Sequence, residues 1–210
     1  MKIEAPKLHA DLQEVYDLMH CVSEGGLSQA VARGRSMEDA DAREWMVRGC
    51  RLERCRLTGA RLEKSEFIDV VFVGCDFTGA DLTACFFERC SFTDCKMVGA
   101  SFYDAVFHDV TCTRCQAPDT DFRGTRWKRA RLERCALMRA LLGECTLSGF
   151  AVSACDLSRA SCFRTPLKGI DLSDSIIDGI QVVGPELKGA VVDFDQAAGL
   201  AKLLGIIIKE

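Results

Sequence analysis

The chain has 210 residues, of which 48% are hydrophobic and 28% are charged, which is enough for one well-buried domain. Its 27 basic and 31 acidic residues nearly balance, so the composition excludes a strongly basic nucleic-acid-binding chain and a disordered acidic one. No stretch reaches the roughly 20 apolar residues of a membrane span, and the N-terminus lacks the apolar region of a secretory signal, so we expect a cytoplasmic protein.

The first predicted element is a helix over residues 7 to 22. Its apolar side chains recur at helical spacing, at Leu8, Leu12, Val15, Met19 and Val22. The pair Gly25-Gly26 is expected to end this helix. Residues 1–29 are therefore predicted to form an N-terminal helical cap.

A five-residue repeat follows, from about residue 30 to residue 194. From Leu52 to Val192 every residue whose number ends in 2 or 7 is apolar, 29 positions in succession, which chance would give roughly once in a billion. Of the 29 residues two places earlier, 25 are Ala, Cys, Ser, Thr or Val. The four exceptions are Phe150, Ile170, Ile180 and Pro185.

This period fits neither an α-helix nor a flat strand. Five residues turn an α-helix by about 500° and would alternate the faces of a strand. A fixed inward residue every five positions needs a corner after each short strand, and four pentapeptides with their corners close one square coil. The predicted fold is therefore an all-β solenoid, a four-sided parallel β-helix. Its predicted core anchors include Phe67, Phe72, Phe87, Phe92, Phe107, Trp127, Leu132 and Leu172.

Cysteines occupy many of the small positions, and six of them recur at the same place in successive predicted coils. This cysteine column comprises Cys55, Cys75, Cys95, Cys115, Cys135 and Cys155. One hypothesis is a metal or redox ladder; the other is packing of Cys as a compact apolar side chain. Parallel side chains do not converge as a metal site or a disulfide requires, so we predict free, buried and unreactive thiols.

The last predicted element, residues 195–210, is a helix that Asp195 caps and that runs through Leu204, followed by a short apolar strand. Both chain ends would cover the open edges of the solenoid. The apolar residues of this segment predict a dimer interface at Leu200, Leu203, Leu204, Ile206, Ile207 and Ile208. The alternative is that the helix and strand fold back onto their own last coil.

The sequence contains no catalytic constellation, so we expect neither an enzyme nor a metal or cofactor site. The histidines, His9, His20 and His108, have no convincing nucleophile beside them. Basic residues cluster between Arg123 and Arg139. The last repeats are acidic and offer candidates for binding a partner at Asp171, Asp174, Asp178, Glu186 and Asp193.

The repeats Ala80-Asp81-Leu82, Cys75-Asp76-Phe77 and Cys155-Asp156-Leu157 resemble the pentapeptide-repeat family, whose consensus is Ala, then Asp or Asn, then Leu and any two residues. The resemblance implies a right-handed quadrilateral β-helix and a C-terminal helix that forms two-fold dimers. A dimer would be a rod of roughly 70 Å, comparable with about 20 base pairs.

Two functions are open. The aliphatic C-terminal tail and the segment from Phe163 to Leu172 are similar to Qnr-like proteins of Gram-positive bacteria, DNA mimics that bind DNA gyrase or topoisomerase IV and protect it from quinolones. That resemblance implies a homodimer that binds a protein and neither nucleic acid nor a membrane. The alternative is a structural or scaffolding module with another protein partner. An acidic stripe would favour gyrase, and a large apolar patch on one face would favour another partner.

Overall fold

The computed structural model describes residues 2–203 and 205–209, and the chain winds into a parallel β-solenoid of about seven turns. The strands are β1 (Gln13–Val15), β2 (Gly26–Ser28), β3 (Ala30–Arg33), β4 (Met46–Glu53), β5 (Glu66–Val73), β6 (Phe86–Thr93), β7 (Val106–Thr113), β8 (Arg126–Glu133) and β9 (Thr146–Ser153). They form one sheet in the order β1-β3-β4-β5-β6-β7-β8-β9, with β2 beside β4. The predicted four-sided β-helix is confirmed.

Successive coils stack in a register of four pentapeptides. Phe67 pairs with Phe87, for example, and Phe72 pairs with Phe92. We name the four faces by one inward residue each: face A by Phe67, face B by Phe72, face C by Phe77 and face D by Leu82. Each eight-residue strand covers faces A and B, while single bridges such as Arg56 to Asp76 and Arg61 to Asp81 join faces C and D.

The corners explain why a period of five closes the coil. Residues whose numbers end in 4 or 9 have a positive φ at nearly every corner, including 20 non-glycine residues such as Arg54 at 52°. On faces C and D the corner is also hydrogen-bonded, as where the N–H of Ala60 donates to the carbonyl of Leu57 over 3.1 Å. A positive φ at Gly59, the third residue of that turn, is the type II pattern.

Large side chains fill the interior in columns. On face A the rings of Phe67, Phe87, Phe107 and Trp127 stack, with neighbouring centroids 5.0, 4.9 and 3.9 Å apart. The structure places the predicted anchors inside, each no more than 3% exposed: Phe67, Phe72, Phe87, Phe92, Phe107, Trp127, Leu132 and Leu172.

At the N-terminal end the helix is much shorter than predicted. Helix α1 spans Leu18–Ser23, and the Asp17 carboxylate caps it by accepting the N–H groups of Met19 and His20. The prediction of helix for residues 7 to 17 was wrong, because Gln13–Val15 pairs with β3 as strand β1 and the residues before it run along the outside of the solenoid. The N–H of Lys7 donates to Asp69 over 2.9 Å and that of Glu4 donates to Asp109 over 3.1 Å.

At the C-terminal end a 3₁₀ turn, Pro185–Leu187, precedes helix α2, Phe194–Leu203. The cap of α2 is Asp193 and not Asp195 as predicted. The Asp193 carboxylate accepts the N–H of Gln196 over 2.8 Å, and the Gln196 side chain accepts the N–H of Asp193 over 3.0 Å. This reciprocal pair is a capping box. Residues 206–209 form no strand, in contrast to the prediction, and Leu204 lies outside the described residues.

Candidate protein-binding surfaces

The acidic cluster of the last coils lies mostly on the surface. Asp171, Asp174, Asp178 and Asp193 are exposed, as is Asp195. Asp171 accepts hydrogen bonds from Ser173, and these bonds lower the pKa of the Asp171 carboxyl, so it is ionised at neutral pH. The Ser153 hydroxyl donates to Asp174 over 2.7 Å and ties it to the preceding coil.

Glu186 does not belong to this surface, and its prediction as a partner-binding residue was wrong. The residue is only 5% exposed. Its carboxylate accepts the backbone N–H groups of Arg164, Val183 and Gly184 over 2.9, 3.1 and 3.1 Å. Glu186 is therefore a buried residue whose carboxylate holds the backbone at Arg164 and the backbone at Val183 and Gly184 together.

The charges of the earlier coils are largely paired within the molecule. Carboxylates and arginines at equivalent corners of adjacent coils form ion pairs: Asp69 with Arg89, Asp94 with Arg114, Asp109 with Arg129, Asp119 with Arg139 and Glu144 with Arg164. Arg123, Arg126 and Arg134 of the basic cluster also have carboxylate partners. Five of the seven basic residues of this cluster are thus paired with carboxylates, and Lys128 and Arg131 are in no ion pair among the described residues.

The acidic end differs in this respect. Between residues 165 and 203 six carboxylates stand against three lysines. Within the described part of the chain, none of these six carboxylates is in an ion pair. Because the exposed carboxylates are in no ion pair, this end of the molecule presents negative charge that no basic side chain among the described residues neutralises.

Apolar side chains surround the same end. Leu200 is 9% exposed and packs on the last coil, but Leu203, Ile206, Ile207 and Ile208 are 53, 55, 94 and 43% exposed. Phe194, which the sequence analysis missed, is 86% exposed at the start of α2. The sequence feature that could have revealed it is its position in the repeat, which is neither of the two inward positions. We call these residues of α2 and of the tail that follows it the apolar C-terminal surface.

A second apolar surface lies on face D. Tyr103, Phe163 and Val183 are 49, 41 and 66% exposed. They line a shallow groove of about 620 Å³, and Gly143 forms its floor between Arg123 and Phe163. The sequence analysis did not identify this groove. The sequence feature that could have revealed the groove is that these three apolar residues recur at the same position of different coils.

The cysteine column lies inside the corner between faces B and C. The Sγ atoms of Cys75, Cys115 and Cys155 donate to the carbonyl oxygens of Leu52, Phe92 and Leu132, over 3.3, 3.5 and 3.5 Å. Ser65 and Thr120 make the same bond at their own corners. The position therefore suits a small side chain with one donor. Among the described residues no three His, Cys, Asp or Glu side chains are placed to hold a metal ion.

The cysteines are mostly inaccessible, and burial raises the pKa of thiols that lie outside the cysteine column. Twelve of the 13 cysteines are buried and Cys21 is partly exposed, and all are free thiols. Burial raises the pKa of Cys50 to about 11 and that of Cys85 to about 12. None of the helices within residues 2–203 has the length and apolar character to span a bilayer.

Comparison with known proteins identifies the repeat. The family model for a pentapeptide repeat region matches residues 66–142, and that for pentapeptide repeats in 8 copies matches residues 48–83. No curated protein sequence matches the chain.

Three solved structures are similar to this chain over most of its length. HetL, a pentapeptide repeat protein involved in heterocyst differentiation regulation from the cyanobacterium Nostoc sp. strain PCC 7120, is 19% identical over 86% of this chain and 97% of its own, with a TM-score of 0.42. QnrB1, a plasmid-mediated fluoroquinolone resistance protein, is 18% identical over 88% of this chain and 99% of its own, also at 0.42. Rfr23 from the cyanobacterium Cyanothece 51142 is 12% identical over 78% and 91%, at 0.26.

Proposed function

Because this chain is built from pentapeptide repeats over at least residues 48–142, we propose that it is a non-catalytic, protein-binding rod whose partner is bacterial DNA gyrase or topoisomerase IV. In this proposal it acts in the cytoplasm as a Qnr-like DNA mimic and protects the topoisomerase from quinolones. The observation that carries the proposal is the acidic C-terminal end, whose exposed carboxylates have no basic partner among the described residues.

Charge is the physical reason for this choice. A surface that binds duplex DNA is positively charged, and unpaired carboxylates offer it the sign of charge that phosphates offer. The paired arginines and carboxylates of the earlier coils contribute little long-range field, so the acidic end would orient the rod on such a surface.

We propose further that two copies join through the apolar C-terminal surface. This surface comprises Leu200, Leu203, Phe194 and the Ile206–Ile208 tail, and its exposed side chains would be removed from water in a symmetric dimer. The two acidic ends would then meet at the centre of a longer rod. Sedimentation of the native protein and of Ile207→Asp tests this: the native protein is expected to be dimeric and the variant monomeric.

The function is tested by DNA supercoiling with purified gyrase and ciprofloxacin across a titration of the protein. The native protein is expected to relieve drug inhibition or to inhibit supercoiling directly. A triple variant, Asp171→Asn with Asp178→Asn and Asp195→Asn, should need at least about ten-fold more protein, as a loss of about 1.4 kcal/mol of binding free energy would give. It spares Asp174, which is bonded to the preceding coil, and Asp193, which caps α2. The bonds from Ser173 to Asp171 are local, and the amide oxygen of Asn can still accept them.

The matched control has the same change of charge at the other end of the rod. Asp11→Asn, Glu24→Gln and Glu44→Gln remove three carboxylates that are exposed and in no ion pair among the described residues. This variant should behave as the native protein. Equal loss in both variants, or no effect of the native protein on gyrase, would refute the role of the acidic end.

The groove on face D favours a second candidate function, a scaffold for another protein. Its exposed Tyr103 and Phe163 flank a floor formed by Gly143, which suits an apolar side chain of a partner. A Tyr103→Ser, Phe163→Ser variant separates the two functions. If gyrase is the partner and binds the acidic end, this variant retains its effect on supercoiling; loss of that effect would assign the binding to face D.

A further inference from the structure

Helix α2 and the last segment of face C enclose an open groove, which we call the α2 groove. It has a volume of about 350 Å³ and is lined by residues 175–179 of face C and by residues of the segment 193–203. Two aliphatic residues of the lining, Ile176 and Leu203, are 52 and 53% exposed. The groove therefore leaves apolar surface in contact with water that an occupant would cover.

Gly199 lines this groove from the middle of α2. It lies between Asp195 and Leu203 at every fourth residue of the helix, so the three share one helix face. Glycine is the least favourable residue after proline inside a helix. A Cβ built on Gly199 would meet no described atom within 4 Å outside the helix backbone. Packing within one molecule thus gives no reason for a glycine here, whereas a second chain lying close against α2 would.

The rim of the groove is acidic. Asp178 on face C and Asp193 and Asp195 at the start of α2 belong to the lining. None of these three carboxylates is in an ion pair among the described residues. The occupant that this lining fits best is a segment with aliphatic side chains and a positive charge.

The tail of this chain has that composition and starts at the same end of the molecule. Ile206, Ile207 and Ile208 are 55, 94 and 43% exposed, and Lys209 follows them. The N–H of Ile206 donates to the carbonyl of Ala201 over 3.0 Å, so the tail begins beside the last turn of α2. The described residues of the tail do not line the groove of their own molecule.

The groove and the tail also match in length. From Asp195 to Leu203 the helix rises by about 12 Å. An extended tail covers about 10 Å from Ile206 to Lys209. A tail that enters at the Leu203 end of another copy's groove would therefore bring its lysine to the acidic end.

We propose that the α2 groove binds the isoleucine tail of a second copy of this chain. Ile207 covers the exposed sides of Ile176 and Leu203, and Lys209 pairs with one carboxylate of the rim. The other two carboxylates stay available to the topoisomerase. In a two-fold dimer the exchange is reciprocal, so each copy receives the tail of the other. The inference rests on the proposed C-terminal dimer and specifies where its tails lie.

Filling the groove tests this proposal. Gly199→Leu puts a side chain where the tail would lie, so it should raise the dissociation constant of the dimer at least about ten-fold in sedimentation, although leucine favours the helix itself. The matched control is Ala197→Leu, at an exposed residue about 200° around α2 from Gly199, and it should dimerise as the native protein does. Equal effects of the two variants, or none, would overturn the groove as the site of the tail.

Disulfide trapping locates the tail directly. In a Cys21→Ser background, which removes the partly exposed thiol, Gly199→Cys is combined with Ile207→Cys in one chain and oxidised. A covalent dimer is expected, because a tail in the groove brings the two Cα atoms within the roughly 4.4–6.8 Å that a disulfide needs. Ala197→Cys combined with Ile207→Cys is the control and should not cross-link. A cross-link in both would show that the tails meet outside the groove.

The outcomes separate this inference from the dimer and from the topoisomerase. A native protein that sediments as a monomer overturns both the dimer and the exchange of tails. A native dimer without the Gly199→Cys to Ile207→Cys disulfide leaves the dimer standing and overturns the groove. An internal disulfide in a covalent monomer shows that each tail fills its own groove, which overturns the exchange. None of these measurements uses gyrase, so the proposal of a topoisomerase partner is tested separately.

Discussion

The indole ring of Trp127 lies nearly parallel to the ring of Phe107, with planes 8° apart and centroids 3.9 Å apart. Trp127 also donates from Nε1 to the Thr125 hydroxyl over 2.8 Å. The ring therefore ends the aromatic column of face A with both its apolar surface and its polar atom satisfied. Beyond it the column continues with aliphatic Leu147 and Leu167.

Removing this ring should be costly. Trp127→Ala is expected to lower the free energy of unfolding by about 3–5 kcal/mol, because it leaves a cavity between two coils. Trp127→Phe keeps the stack and should cost less. Chemical denaturation followed by circular dichroism measures both. Tyr103→Ala, at a half-exposed aromatic residue on face D, is the control and should change stability by no more than about 0.5 kcal/mol.

The thiols should be unreactive in the folded protein. Because 12 cysteines are buried, a reagent in solution reaches few thiols of the folded protein, and burial also raises the pKa of Cys85 to about 12. Titration with a thiol reagent should label Cys21 quickly in the native protein, and all 13 cysteines in denaturant. Rapid native labelling of most cysteines would contradict the packing role of the cysteine column.

Glu186 should make the last corner sensitive to acid. Burial on its own raises the pKa of this carboxyl, but the N–H groups of Arg164, Val183 and Gly184 outweigh burial, so its pKa is lowered. A depressed folded-state pKa stabilises the fold above the unfolded value of about 4.3 and loses that contribution as the pH falls below it.

Glu186→Gln should therefore destabilise the corner by about 1–3 kcal/mol at pH 7, the range for bonds to a charged group. The difference from the native protein should shrink as the pH falls below about 4. Hydrogen exchange of the Val183 and Gly184 amides reports it directly. A difference that is constant from pH 7 to pH 3 would show that charge is not the cause.

Asp109 should hold the N-terminal segment in place. It is 3% exposed, pairs with Arg129 and accepts the N–H of Glu4. Asp109→Asn is expected to leave the solenoid folded but to speed hydrogen exchange and proteolysis of residues 2–8. Asp119→Asn breaks the similar pair with Arg139, which bears no such N-terminal contact, and should leave residues 2–8 unchanged.

The solenoid could be predicted from the sequence because its physical basis is local and repeated. Each inward residue, such as Phe72 or Leu132, obeys the same period of five, and a single shift would expose every anchor. The N-terminal segment could not be predicted in this way. Leu8 and Leu12 have helical spacing, but the carboxylates of Asp69 and Asp109, far away in sequence, bind the backbone and override that propensity.

The surface was less predictable, because the partner of each charge depends on the corner geometry. Arg129 and Arg139 belong to a basic cluster in the sequence, yet each meets a carboxylate on the preceding coil. Glu186 belongs to an acidic run but folds inward.

The left-handed corners also bear on how this surface can change over evolution or in design. Asp, Arg, Glu, Lys, Ala and Gly all occupy the same backbone geometry at residues ending in 4 or 9. Non-glycine side chains accept a conformational cost of about 1 kcal/mol there, and the stacked coils enforce it. The path of the backbone is thus independent of which residue type occupies a corner. Evolution or protein design can therefore change the charges along each edge of the rod while the interior side chains stay the same.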